Sequence, residues 1–372
     1  MNYARFGIAS MADLFGDFVV YRNLIPSDPR LPALTDLGLT DNRLPRKAEP
    51  AYGAAVATIL KAARALTAPG IEIARLLFIG DTKMNDGSAF ENICAAGGWP
   101  GWCFIGRDAL AEAPQTYVEN RMYVANRWSA LAEFAAFVRQ QGFVFDAGTA
   151  VVIDMDKTLV GARGRNDRVI DEARVEGVQR TVAGLLGPNF NQTAFQTAYD
   201  ELNRPLYHPF TADNQDYLAY ICLILGTGLF ELNGLLRQIK SGQLKNFDDF
   251  IRQVHTRRAE LADSGLTPVH DEIWACVQAG DPTPFKAFRY NEYLTTSARF
   301  GDIPGVAVED LLRQRIVITR EVYAEALTWK ESGALLFALS DKPDEASMPN
   351  PAQAQAGMKA LHHLITPVVG MS

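Results

Sequence analysis

Apolar and polar positions follow two different rhythms along this chain, and the change of rhythm divides it into three regions. Over residues 1–150, helix-spaced and strand-like segments follow one another. AYGAAVATILKAARAL (51–66) carries apolar residues at helical spacing, and RLLFIG (75–80) is a short apolar run ending in glycine, as a buried strand would. GWCFIG (101–106) is a second such run, and RWSALAEFAAFVRQQG (127–142) is an amphipathic helix closed by glycine. This βα alternation predicts a parallel sheet covered by helices.

From about residue 165 to 320 the strands stop. DEARVEGVQRTVAGLLG, NQTAFQTAYDELNR, NFDDFIRQVHTRRAELADSG and VEDLLRQRIVITREVYAEAL all have helical periodicity. WKESGALLFALSDKPDEA (329–346) then returns to a helix, a glycine, an apolar strand and a polar loop. PAQAQAGMKALHHLI predicts a last helix close to the C-terminus. The expected fold is therefore α/β: a Rossmann-like parallel sheet core, residues 1–160 and 325–372, interrupted by an all-α domain over 161–324.

Composition narrows the partners. The chain has 372 residues, 48% of them hydrophobic, which is enough for a sizeable core. Its net charge of −7 argues against nucleic acid as the main partner, because phosphate backbones are bound by clustered Lys and Arg. Cys94, Cys103, Cys222 and Cys276 show no CxxC pattern, which fits a reducing compartment better than a disulfide framework. YLAYICLILGTGLF is too short to span a bilayer and predicts a buried helix. With no clean signal-peptide core at the start, the expectation is a cytoplasmic protein with no membrane partner. The five histidines show no metal-ligand spacing.

In a parallel α/β sheet, ligands bind beyond the carboxyl ends of the strands, so polar residues directly after each apolar run become candidates wherever they lie in sequence. After AVVI come Asp154 and Asp156. After LLFIG come Asp81 and, within GDTKMND, Asp86. After ALLFAL come Ser340 and Lys342. Each alone is as compatible with a turn or a helix cap as with chemistry. Together they place four carboxylates, a hydroxyl and a lysine on one rim.

The set resembles the haloacid dehalogenase (HAD) superfamily of phosphohydrolases. VVIDMDKTL matches the family's D-x-D-x-T motif, LLFALS its strand ending in Ser or Thr, and IGDTKMND its Gly-Asp followed by a second acid. RKAEPAYGAAVATIL supplies Lys47, then Pro50 at a helix start, for the lone lysine; Lys342 and Lys83 are rivals. The family's motif order is first, second, third, fourth. Here it is third (Lys47), fourth (Asp81, Asp86), first (Asp154, Asp156), second (Ser340), a circular permutation. Asp81 should then end a strand beside that of Asp154, with Ser340 on the opposite neighbour.

The resemblance implies a Mg²⁺-dependent phosphatase acting on a small phosphorylated metabolite. Asp154, the backbone carbonyl of Met155, Asp81 and Asp86 would hold the cation. Asp154 would be the nucleophile, Asp156 the general acid and base, and Ser340 with Lys47 the phosphate-binding groups. Lys157 stands where the family more often has glycine. The helical region would be the family's cap, closing over substrate and hinging near 160–166 and 320–335. Arg163 and Arg165 are candidates for substrate contact, with solvated loop positions as the alternative. The same residues would serve a phosphomutase or phosphotransferase, and a catalytically silent binding protein on the same fold is the remaining alternative.

Overall fold

A computed structural model of the protein describes residues 3–39, 44–163 and 166–372. It contains ten strands among them: β1 (Tyr3–Ala9), β2 (Val19–Val20), β3 (Arg75–Gly80), β4 (Gly101–Gly106), β5 (Thr116–Glu119), β6 (Met122–Ala125), β7 (Thr149–Asp154), β8 (Ile318–Thr319), β9 (Leu335–Leu339) and β10 (Thr366–Met371). Seven form the main sheet in the order β2-β9-β7-β3-β4-β6-β5, parallel throughout except for the antiparallel edge pair β5–β6.

The central strand β7 is buried at every position, which explains its unbroken apolar run. A strand covered on both faces has no solvent side on which to place polar residues. One face packs against the helices Pro50–Thr67 and Ser88–Gly97, where Val56, Ile59, Phe90 and Ile93 meet Phe78, Val152 and Phe337. Phe104 points to the other face and meets Trp128 and Phe134, the latter from the helix Leu131–Gln140. The helix Arg320–Glu331 packs beside it against β9. Each fully buried Phe or Ile on these faces contributes roughly 1.5–3 kcal/mol. Only a side-chain-free residue allows the first two helices to touch so closely: a Cβ on Gly53 would lie 2.4 Å from the backbone of Asn92.

The chain divides into two compact units, one made of residues 1–172 with 296–372 and the other of Ala173–Thr295. The helical unit is thus narrower than the 161–324 read from periodicity. The helices Asp167–Leu186 and Lys286–Ser297 carry the chain across its two boundaries, rather than segments near 160–166 and 320–335. Its core includes the predicted buried helix Gln215–Gly226, with Leu218, Tyr220, Ile221 and Ile224 packed against Phe210, Phe247, Phe250 and Ile251. No helix among the described residues is long and apolar enough to cross a membrane.

Two segments differ from their helical periodicity, and one strand was not anticipated. VEDLLRQRIVITREVYAEAL is not one helix. It breaks after Leu311, and the β-branched RIVIT forms β8, which pairs with β10, before a helix resumes at Arg320. The last predicted helix is reduced to Pro351–Gln355, because Gly357 takes a left-handed conformation (φ +84°) and turns the chain away. Finally, TPVVGM is a strand: β10 lies between β8 and β1 in a separate small sheet, with Tyr3 opposite Met371. The first and last strands of the chain are therefore hydrogen-bonded neighbours.

Candidate active site

Asp154 is the last residue of β7. Its two flanking strands are β3, which leads into Asp81, and β9, which leads into Ser340. This is the neighbour arrangement expected from a permuted motif order. One carboxylate oxygen from each of Asp81, Asp86 and Asp154 lies within 4.8 Å of those of the other two, although Asp81 and Asp154 belong to distant parts of the chain.

The turn after β3 sets the first pair of acids. Lys83–Gly87 form a wide π-helical turn that aims Asp86 back at the strand end. There Asp86 Oδ2 accepts hydrogen bonds from the backbone N–H of Asp81 (3.0 Å), the backbone N–H of Thr82 (2.9 Å) and the Thr82 hydroxyl (3.1 Å). Gly80 is required here for close approach, since a Cβ would lie 2.5 Å from the Asp86 side chain.

The turn after β7 sets the second pair. Val160 N–H donates to the Met155 carbonyl at 3.0 Å and Thr158 N–H donates to it at 3.3 Å, folding the DMDKTLV segment back on itself. Both bonds hold the Met155 carbonyl within the turn. Thr158 is fully buried, and its hydroxyl donates to Asp154 Oδ2 at 3.2 Å. The D-x-D-x-T spacing thus has a local reason: the threonine fixes the carboxylate four residues before it. Lys157 adopts φ +63°, a left-handed conformation that favours glycine. Its ammonium, partly exposed, pairs with Asp171 at 3.3 Å and also favours the charged form of Asp81.

Lys47 is the lysine brought to the carboxylates. Its ammonium lies 2.8 Å from Asp86 Oδ1, 2.8 Å from Asp154 Oδ1 and 2.8 Å from Asp341 Oδ2. Its backbone is held in turn by Asn92, whose amide donates to the Lys47 carbonyl at 3.0 Å. Of the rivals, Lys83 pairs with Glu119 on the surface, while Lys342 donates from Nζ to Thr296 Oγ1 and lines a small cavity with Asp156 and Ser340. Ser340 donates to Asp156 Oδ2 at 3.2 Å and accepts from the Lys342 N–H at 3.1 Å. The serine, the acid two positions after Asp154 and the central carboxylate therefore line one strand-end rim.

Four carboxylates around one ammonium leave an excess of negative charge in a mostly buried place. Burial and the neighbouring Asp86 push the Asp81 carboxyl up to about 8. Burial, together with Asp86, Asp341 and Asp81, raises Asp154 well above the ordinary carboxylate range against the pull of Lys47. For Asp86 burial also opposes the charge, but Lys47 and the hydrogen bonds it accepts outweigh it and leave the carboxyl below its usual value. Burial disfavours the Lys47 charge too, and Asp154, Asp341 and Asp86 more than offset it.

Asp341 was overlooked in the sequence, although it lies between two named candidates and obeys the same strand-end rule. Arg163 is neither a substrate contact nor a solvated loop arginine. It is fully buried, bonded to Asp108 at 2.9 Å and to Glu321, and it ties the post-β7 loop to the helix Arg320–Glu331. Arg165 lies outside the described residues. Two histidine clusters also form that spacing alone hid, Asp17 with His362 and His363, and His255 with His270 and Asp271.

Searches of protein-family models, of curated proteins and of solved structures found no match to this chain.

Proposed function

We propose that this protein is a metal-dependent phosphohydrolase of the HAD type, in circularly permuted order, acting on a small phosphorylated metabolite. The observation that carries the reading is the convergence of Asp81, Asp86 and Asp154 at the ends of two adjacent strands, with Ser340 on the strand beyond. An all-oxygen donor set of this kind fits Mg²⁺, which Asp154, Asp81 and Asp86 would hold. When bound, the cation supplies the positive charge that the cluster lacks and screens an approaching phosphate.

The protein's own residues then divide the work. Lys47, already within hydrogen-bond distance of Asp154, adds positive charge beside the incoming phosphoryl group. Thr158 holds Asp154 so that its carboxylate faces the rim. An Asp154 oxygen attacks phosphorus, the bond to the leaving oxygen breaks, and Asp156 donates the proton that oxygen needs. Asp156 next takes a proton from water, whose oxygen displaces Asp154 from phosphorus and releases inorganic phosphate. Ser340, adjacent to Asp156 at 3.2 Å, is placed to donate its hydroxyl to a phosphoryl oxygen. The helical unit, inserted in the chain between Thr158 and Ser340, is read as the cap that supplies substrate specificity.

Hydrolysis of p-nitrophenyl phosphate with and without Mg²⁺, by wild type and by Asp154→Asn, tests this. Magnesium-dependent release of nitrophenol by wild type that Asp154→Asn abolishes is the expected result. Equal activity in the two proteins, or none in either, sinks the reading.

A further inference from the structure

Near the two ends of the sequence, on residues the acid cluster does not use, three ligand atoms of another kind converge. Asp17 lies just before β2, and His362 and His363 lie in the 3₁₀ turn Leu361–His363 just before β10. Nε2 of His362 is 3.1 Å and Nε2 of His363 is 2.8 Å from the same oxygen, Asp17 Oδ1. All three atoms lie within 4.8 Å of one another. We propose that Asp17, His362 and His363 form a second metal site, built for a borderline divalent cation such as Zn²⁺.

The geometry supports more than a hydrogen-bonded triad. Tetrahedral zinc with bonds of about 2.0–2.1 Å separates its ligand atoms by roughly 3.3 Å, close to the spacings found here. The His362 ring is fully buried and already oriented, with Nδ1 2.8 Å from the Tyr21 hydroxyl. When Nε2 ligates, the ring proton sits on Nδ1 and the Tyr21 oxygen accepts it, the outer hydrogen bond that metal-bound histidines regularly make. Ser27 Oγ stands 3.4 Å from the same Nε2. His363 and Asp17 remain partly exposed, at 40% and 49%, so a cation can enter and water can complete its coordination.

The donor set also separates this site from the first. Two imidazoles and one carboxylate favour zinc, nickel or copper, whereas the cluster of Asp81, Asp86 and Asp154 offers oxygen only and favours magnesium. Position suggests the consequence: a cation here would clamp the segment between β1 and β2 to the segment before β10, reinforcing the pairing of β1 with β10.

The test is a titration of the metal-stripped full chain with Zn²⁺ by calorimetry, in saturating Mg²⁺, with Co²⁺ replacing zinc for a visible-absorption signature. One equivalent should bind and raise the thermal midpoint by several degrees. His363→Ala, which alters a partly exposed ring and spares the fold, should weaken zinc by roughly tenfold or more, as should Asp17→Asn. Asp81→Asn should leave zinc binding unchanged. Absence of saturable binding overturns the site, as does binding that survives both His363→Ala and Asp17→Asn, or binding that Asp81→Asn removes.

Discussion

Two buried groups of charges in this protein look alike in composition and differ in balance. In the helical unit, Asp216 and Glu292 are fully buried and meet Arg289, which bonds to Glu292 at 2.7 Å and also to Asp216, while Arg174 reaches Glu292 at 3.2 Å. Two carboxylates face two guanidiniums. At the ends of β3, β7 and β9, by contrast, Asp86, Asp154 and Asp341 all pair with Lys47, Asp81 lies beside Asp86 and Asp154, and Lys157 adds only a weaker pull on Asp81. A matched network is complete as folded. An unmatched one carries more negative charge than its own cations answer, and a cation from outside completes it. Charge balance, more than burial, separates a structural network from a candidate site.

That contrast can be broken by mutation. The largest effect belongs to Asp154→Asn, which should lower phosphatase turnover by about four orders of magnitude or more, the scale seen on removing a nucleophile. Because it takes a charge out of an over-negative cluster, the thermal midpoint of the metal-free protein should hold or rise; a clear fall would mean that Asp154 is mainly structural. Arg289→Leu should do the reverse. It removes the guanidinium that meets two fully buried carboxylates, leaving Glu292 to Arg174, and should cost about 3–5 kcal/mol of stability, read by urea unfolding, with no rescue by Mg²⁺. Destabilisation below 1 kcal/mol would contradict a matched network.

Lys47→Met sharpens the comparison. Removing the single ammonium should destabilise the metal-free protein by about 3 kcal/mol, and millimolar Mg²⁺ should recover much of the loss, because a divalent cation answers the same carboxylates. If magnesium stabilises Lys47→Met no more than wild type, lysine and cation do not share a site. Gly80→Ala acts one step removed. Its new Cβ would crowd Asp86 at 2.5 Å and turn that carboxylate, so magnesium affinity should fall by roughly tenfold while the fold persists. Unchanged affinity would show that Asp86 does not matter to the cation. The smallest effect is Lys157→Gly, which relieves a left-handed φ of +63° and should change stability by about 1 kcal/mol or less in the favourable direction, without altering turnover.

Much of the acid rim was legible in the sequence because its elements are local. A strand buried on both faces must be a short apolar run, and the residue that follows it emerges at a known edge of the sheet. So Asp154, Asp81 and Ser340 could be named from what precedes each of them, and Lys47 from the proline-led helix that follows it. The turn that holds the Met155 carbonyl, through Val160 and Thr158, was not legible in the motif. Arg163 was misread because its partners, Asp108 and Glu321, are supplied by remote segments.

What the sequence determined by itself was the alternation of buried runs and helices, and with it the mixed α/β character and the strand-end acids. These depend on periodicity and turn chemistry within a few residues. The tertiary structure alone decided which strands became neighbours, that β1 would pair with β10, that RIVIT would leave a helical pattern for β8, and that Asp17 would meet His362 and His363. Each of those contacts joins residues far apart in the chain. Such contacts form only when the loop-closure entropy between them is repaid by the packing of the whole sheet, and no short window of sequence contains that sum.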